Sequence, residues 1–514
     1  MAQPYYITTP IYYVNDDPHI GHAYTTLACD VLARFKRMDG FSVHFLTGTD
    51  EHGQKVEKAA EVAGVDPQSF TDRVSQNFRE LSQRMNFSED DFIRTTEDRH
   101  TRACQALWQK LEASGDIYLG SYAGWYAVRD EAFYAENEIS IGANGQKLAP
   151  SGAPVDWVEE PSYFFRLSAW GERLLQWYEA NPDCIGPASR RNEVISFVKG
   201  GLQDLSVSRV SFKWGIPVPG NPDHILYVWL DALTNYITAV GYPDVNSDGF
   251  SKYWPCDLHM VGKDILRFHA VYWPAFLMAA GIEPPRRVYA HGWWTNEGQK
   301  ISKSVGNVIK PFDLIERYGL DQVRYFLLRE VPFGNDGDFS HTSMVSRTNY
   351  DLANDYGNLV QRVLSMINKN CDAQVPEPVV FTEQDRTLLQ SASNLPAVMR
   401  PLMDRQAFHE ALDAIWLVVR EANAYVDHQA PWALRKTDPA RMGTVLYVLA
   451  ETIRHLGLVT LPFMPESSDK ILDQLAIDPG ARSFAGIGDG GALKPGTTLP
   501  RPQGVFPRYV EEAA

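Results

Sequence analysis

Residues 5–35 read YYITTPIYYVNDDPHIGHAYTTLACDVLARF, and the fold class turns on how this stretch divides. The opening YYITT is aromatic and β-branched, the composition of a strand. Asn15, Asp16, Asp17 and Pro18 are turn formers, and beyond them Leu27, Val31, Leu32 and Phe35 recur at helical spacing. The order is strand, loop, helix. Residues 42–64, SVHFLTGTDEHGQKVEKAAEVAG, repeat it with an apolar strand, a small polar loop and a helix ending at a glycine. This alternation predicts an α/β fold with a doubly wound parallel sheet of Rossmann-like type.

Working outward, the texture changes between Gly115 and Val218 to short aromatic runs such as GWYAVRDEAFYA, broken by Gly, Pro and Asn. That pattern predicts a β-rich module inserted into the catalytic domain. The α/β pattern resumes with ILYVWLDALTNY and LHMVGKDILRFHAVYWPAFLMAAG, then RVYAHGWWT. After VPFGNDGDFS the chain reads as almost continuous amphipathic helix to about Leu475, a helical bundle. The expected organisation is residues 1–114 and 221–340 as the two halves of a nucleotide-binding domain, 115–220 as the insert, 341–475 as the bundle and 476–514 as a tail. The tail's GIGDGG matches G-x-G-x-x-G, but no strand precedes it and no helix follows, so it reads as a loop.

Composition limits the function classes. A 514-residue chain exceeds the size of one growing core, and 44% apolar residues with 12% aromatics exclude disorder. The net charge of −16 argues against a uniformly basic nucleic-acid coat, so a polyanion must dock on local positive patches. The longest apolar run, AVYWPAFLMAAGI, is short and holds a proline. No membrane span or signal peptide is expected. Five scattered cysteines show no metal-ligand spacing, and a reducing cytoplasm is the expected location.

Two short segments carry chemistry. His19 and His22 share one face of a helix's first turn, where backbone N–H groups and the helix dipole favour an anion. Gly21 between them leaves room for a base or ribose. A zinc pair and two ordinary surface histidines are the competing readings. Lys300 and Lys303 flank Ser302 in KISKS, downstream of the turn NEGQ. Two ammonium groups on a loop can neutralise charge that develops as phosphates separate, although lysine-serine loops are usually just solvated. No G-x-x-x-x-G-K-[ST] is present, which excludes a P-loop.

Together these segments resemble the signatures of the class I aminoacyl-tRNA synthetases, and the closer resemblance is to their methionyl branch. It is carried by TTPIYYVNDDPHIGHAYT, FLTGTDEHGQK, YVWLDALTNY, GKDILRFHAVYWPAFL and KISKSVGNVI, in that order. The resemblance implies activation of L-methionine by ATP with Mg2+ and transfer to initiator and elongator tRNA(Met). It assigns His19, Gly21, His22, Gly262, Asp264, Lys300, Ser302 and Lys303 to ATP, with both histidines and both lysines catalytic. Ile11, Tyr13, Asp50, Trp229, Ala232, Leu233, Tyr236, Ile265, Phe268, His269 and Trp273 would form the methionine pocket. Asp50 also reads as a helix N-cap, and the stripes 229/232/233/236 and 265/268/269/273 also read as plain core. An aromatic pocket suits a polarizable thioether. Asn358, Arg362 and Trp432 would read the anticodon, with a helix ion pair and a core aromatic as the plain alternatives for the last two.

In one respect the chain departs from its relatives. Many of them carry zinc-binding cysteines in the insert, whereas EAFYAENEISIGANGQKLAPSGAPVDWVEE has no Cys or His. A metal-free knuckle held by packing alone is therefore expected. A monomer is also expected, because no further C-terminal tRNA-binding module follows the bundle. The rival classes are another nucleotidyl transferase, a sibling synthetase and a non-catalytic RNA-binding protein.

Overall fold

The computed structural model describes residues 2–14, 17–130, 132–142, 144–301 and 307–511, with the side chains at 122, 132, 133, 300 and 489 outside that description. Two compact units emerge. One comprises Pro4–Pro18 and Val43–His291, and the other comprises His19–Ser42 and Gly292–Ala514 with the first three residues.

The first unit is built on the expected parallel sheet. Strand Pro4–Thr8 lies at its centre, with Ser42–Asp50 on one side and Leu258–Gly262 on the other. Ser42–Asp50 pairs in parallel with Tyr12–Tyr13 and Asp91–Arg94, and Leu258–Gly262 pairs in parallel with Pro4–Thr8 and Val288–His291. Strand order therefore reverses beside Pro4–Thr8, the position where doubly wound sheets bind ligands beyond the carboxyl ends of their strands. Ile11, Asp50 and Gly262 all lie at such ends.

The insert supplies a four-stranded antiparallel sheet whose long pair, Ile117–Ala127 with Asp156–Phe165, runs from Ile117↔Phe165 to Tyr126↔Asp156. It also gives the main sheet its edge strand, Ile185–Gly186 beside Val288–His291, so the expected module is woven into the catalytic sheet. At its tip, Trp125 Nε1 donates to Glu136, and Lys147 bonds Glu136 at 2.9 Å while sitting 3.7 Å from the Trp125 ring centroid. The tip is therefore not held by packing alone, contrary to the expectation from the sequence: an ion pair and a cation–π contact also bind it.

The second unit is mainly helical. Its central helix, Pro439–Thr460, is buried from Met442 to Thr460, and the charges it buries pair with each other, Arg454 Nε donating to Glu451 at 2.9 Å. Among the described residues no helix is long and apolar enough to cross a membrane. The helix Ile20–Met38, which carries the histidine signature at its start, belongs to this unit. Its Asp30 accepts from Arg324 Nη2 at 2.6 Å with both side chains fully buried, and Arg324 also donates to the carbonyls of Pro462 and Phe463. Lys36–Asp404 and Arg400–Asp39 ion pairs tie down the helix's far end.

Candidate active site

The pocket residues converge at the carboxyl end of the sheet in the first unit. Ile11, Tyr13 and Trp229 pack on a small cluster of Tyr227, Val228 and Ala232. Tyr13 lies beside Asp50 in the ladder, and the Asp50 carbonyl accepts from Val14 N at 3.3 Å. The Asp50 side chain is 3% exposed. It is not a helix cap: the helix Gln54–Ala63 has Gly53 at its N-cap, with φ 108.

Helix Val228–Thr238 buries Ala232, Leu233 and Tyr236 and leaves Trp229 half-buried. Trp229 stacks on Phe268 with ring centroids 3.3 Å apart and planes within 8°. The spacing of Ile265, Phe268, His269 and Trp273 predicts one regular helix, but the backbone runs from a 3-10 turn over Lys263–Ile265 into a π-helical segment, Phe268–Tyr272, before Trp273 opens an α-helix. The wider π turn lets His269 Nδ1 donate to the Ile265 carbonyl at 2.9 Å. Nε2 is then the acceptor, and the Tyr236 hydroxyl donates to it at 2.7 Å. Burial keeps this imidazole neutral, with its pKa lowered to about 4. Leu233 and Trp273 lie within the main core cluster, 2% and 0% exposed, the arrangement their plain-core alternative anticipates. Gly262 ends its strand, and a Cβ there would come 2.5 Å from Asp264 Oδ1. Asp264 itself is exposed.

In the second unit the histidines form a reciprocal cap. His19 Nδ1 accepts from Gly21 N at 3.0 Å, and His22 Nδ1 accepts from His19 N at 3.2 Å. Each neutral ring therefore carries its proton on Nε2. Burial, then the adjacent His19, holds His22 well below the ordinary histidine pKa. The pair offers neutral donors to an anion, not cations. Gly21 makes room first for its neighbour, since a Cβ would sit 2.9 Å from His19 Cε1. Two backbone N–H groups expected to await an anion are already used: Gly21 N by His19, and Ile20 N by the Ile309 carbonyl at 3.1 Å.

That last bond joins the two signatures. Trp294–Asn296 and Gln299–Lys300 form a hairpin through Glu297 and Gly298, both with positive φ, as a two-residue turn of this hand requires. It delivers the chain to the lysine loop, while Asn296 Nδ2 donates to the Asn307 carbonyl at 2.9 Å and holds the loop's far end. Ser302 and Lys303 lie outside the described residues, as does the Lys300 side chain.

The third constellation is on the helical surface of the same unit. Asn358 opens the helix Asn358–Asn370 and is exposed. Arg362 bonds Asp427 at 2.9 Å and stands 5.9 Å from the ring centroid of Trp432, which is 51% exposed. The core-aromatic alternative for Trp432 is thereby excluded.

Sequence reasoning missed Tyr227 and Val228 beneath the pocket, the Asn296 and Ile309 clamps, and a buried cluster of His52, His100 and Asp231. His52 and Asp231 sit inside the quoted motifs, yet only the fold shows that they meet.

A parallel sheet with an aromatic cluster at its switch point and a helix capped by the HIGH histidines, His19 and His22, are parts of a class I tRNA synthetase. The family described as "tRNA synthetases class I (M)" matches residues 5–364, and the "Anticodon binding domain of methionyl tRNA ligase" matches residues 375–514. The methionine–tRNA ligase of Brucella suis is 58% identical over 509 residues, covering 99% of this chain and 98% of that one. The enzyme of Rickettsia felis is 56% identical over 512 residues, covering 99% of each. The structure of Mycobacterium tuberculosis methionyl-tRNA synthetase in complex with methionyl-adenylate superposes with a TM-score of 0.96 at 55% identity, covering 98% of this chain and all of that one. The chain belongs to the methionine branch of the class I tRNA synthetases.

Proposed function

We propose that the protein activates L-methionine with ATP and transfers it to tRNA(Met), and that the carrying observation is the aromatic pocket at the sheet's switch point, with Asp50 at its polar end. The methionine carboxylate attacks the α-phosphate of ATP, which arrives as its magnesium complex. Pyrophosphate leaves, and the product is methionyl-adenylate. A ribose hydroxyl at the tRNA 3′ end then attacks the anhydride carbonyl and displaces AMP.

The residues divide this work. Asp50 accepts the substrate's α-ammonium in a charge-assisted bond. Tyr13, Trp229, Tyr236 and Phe268 grip the thioether, with Ile11, Ala232 and Ile265 beside them, Leu233 and Trp273 as the back wall and neutral His269 as polar neighbour. Gly262 and Asp264 hold the ribose. His19 and His22 donate Nε2–H groups to phosphate oxygens as charge builds, and Gly21 keeps their turn compact. Lys300, Ser302 and Lys303 hold the departing pyrophosphate. Asn358, Arg362 and Trp432 meet splayed anticodon bases of initiator and elongator tRNA alike. The five-segment division of the chain, a cytoplasmic monomer, and an insert that takes no structural zinc belong to the same reading. Metal analysis of the purified protein checks the last.

Exchange of labelled pyrophosphate into ATP, run with each standard amino acid, tests the reading directly. Exchange with methionine alone is expected. Exchange with a different amino acid would discard the pocket assignment while keeping the adenylate chemistry.

A further inference from the structure

Asp231 has no part in the reaction as described, yet it is 1% exposed in the helix that carries Trp229 and Tyr236. At about 100° per residue, Asp231, Thr234 and Thr238 face away from Trp229, Ala232 and Tyr236. One carboxylate oxygen of Asp231 is 2.7 Å from His52 Nδ1, and the other is 2.8 Å from His100 Nε2. Thr238 Oγ1, two turns along from Asp231, lies 3.3 Å from His100 Nδ1.

The partners matter for where they sit. His100 is fully buried in the helix Asp98–Ala113. His52 is two residues beyond Asp50, in a segment held on every side: Gly53 N donates to the Trp214 carbonyl, Trp214 Nε1 to the Glu51 carbonyl, and the Glu51 carboxylate takes Arg94 in a fork. The Asp231 carboxylate thus ties the back of the pocket helix to the segment that carries Asp50. Burial would push its pKa up, but His52 and then His100 outweigh that and hold it far below the usual carboxylate range.

We infer that Asp231, acting through His52, is a positioning residue that sets the distance between Asp50 and the aromatic face of the pocket helix, and so the affinity for the amino acid. This rests on the methionine-activating reading. The competing occupant is a metal, since His100, Cys104 and Asp231 offer three ligand atoms within 4.8 Å of one another. Burial pushes the Cys104 thiol well above its ordinary value, the wrong direction for a thiolate ligand.

Pyrophosphate exchange by Asp231→Asn and His52→Gln, each with separate methionine and ATP titrations and a melting curve, is the test. An amide cannot accept from both imidazoles, so each variant should raise the methionine KM about tenfold or more, with the ATP KM and kcat within about threefold of wild type. The double variant should be no worse than the worse single, because both changes cut one linkage. Parallel losses in both KM values, an unchanged methionine KM, or a lowered melting temperature alone would overturn the inference. So would stoichiometric metal that is lost in Cys104→Ala. Wild-type protein showing no methionine-dependent exchange would instead bring down the reading beneath it.

Discussion

The proposed methionine pocket and the proposed anticodon face both rest on helices and both include a tryptophan, but in opposite settings. Trp229 is pressed flat on Phe268 among apolar neighbours, whereas Trp432 stands half exposed beside Arg362. The ion pairs repeat the contrast. Asp30–Arg324 is fully buried with two carbonyls completing its bonds, while Arg362–Asp427 is 34% and 66% exposed. An apolar side chain is recognised by removing water in advance. A polyanion is recognised by groups that stay wet until it arrives, so the same residue types carry very different free energies in the two places.

The largest effect expected from this contrast is on stability. Arg324→Ala takes one of two guanidinium partners from the fully buried Asp30, which keeps Arg34 at 2.9 Å, and should destabilise the protein by about 3–5 kcal/mol, read by denaturant titration. Arg362→Ala, which breaks the exposed pair, should change stability by no more than about 1 kcal/mol. Equal losses would erase the distinction. Next, Lys303→Ala should slow adenylate formation by roughly 10²–10³, with methionine affinity nearly unchanged, because one preorganised donor to the transition state is lost. An unaltered single-turnover rate would remove the lysine from the chemistry. Trp229→Ala should raise the methionine KM by roughly 10–200-fold while leaving tRNA binding alone. Trp432→Ala should do the reverse, weakening tRNA by about 1–3 kcal/mol as one stacked base is lost, with pyrophosphate exchange intact. A crossed phenotype in either variant would break the comparison.

The smallest effect is a pH dependence. Burial lowers the pKa of His269 and of His259, whose ring centroid lies 4.1 Å from that of Tyr236, so the folded chain binds fewer protons there than the unfolded one. Their contribution to stability is full above about pH 6.5 and is lost as the pH falls toward about 4. Melting curves over that range should shift downward with acid, and less so in His269→Gln.

Much of this was legible in the sequence because period and turn chemistry are local. YYITT and the glycine after AAEVA each declare their conformation within a few residues, while Asn15 and Asp16 of the expected turn lie outside the described residues. The pocket stripes were ambiguous for a physical reason: a ring that lines a ligand site and a ring that fills a core obey the same spacing. The π turn at Phe268 was hidden because nothing in FHAVY distinguishes it from an α-helix. The Asp30–Arg324 pair, the Asp231 cluster and the Ile20–Ile309 bond were invisible because each depends on segments that only the finished topology brings together.

The buried Asp30 has a consequence for how the chain is made. It is among the first residues to leave the ribosome, but its partner Arg324 and the carbonyls of Pro462 and Phe463 that complete the cage are among the later ones. At about 5–20 residues per second, the first helix must wait tens of seconds, still hydrated, before its inner face can close. A product cut short before Pro462 would therefore keep Asp30 and Arg324 but lack the two carbonyls that complete the cage behind the helix bearing the proposed phosphate-binding histidines.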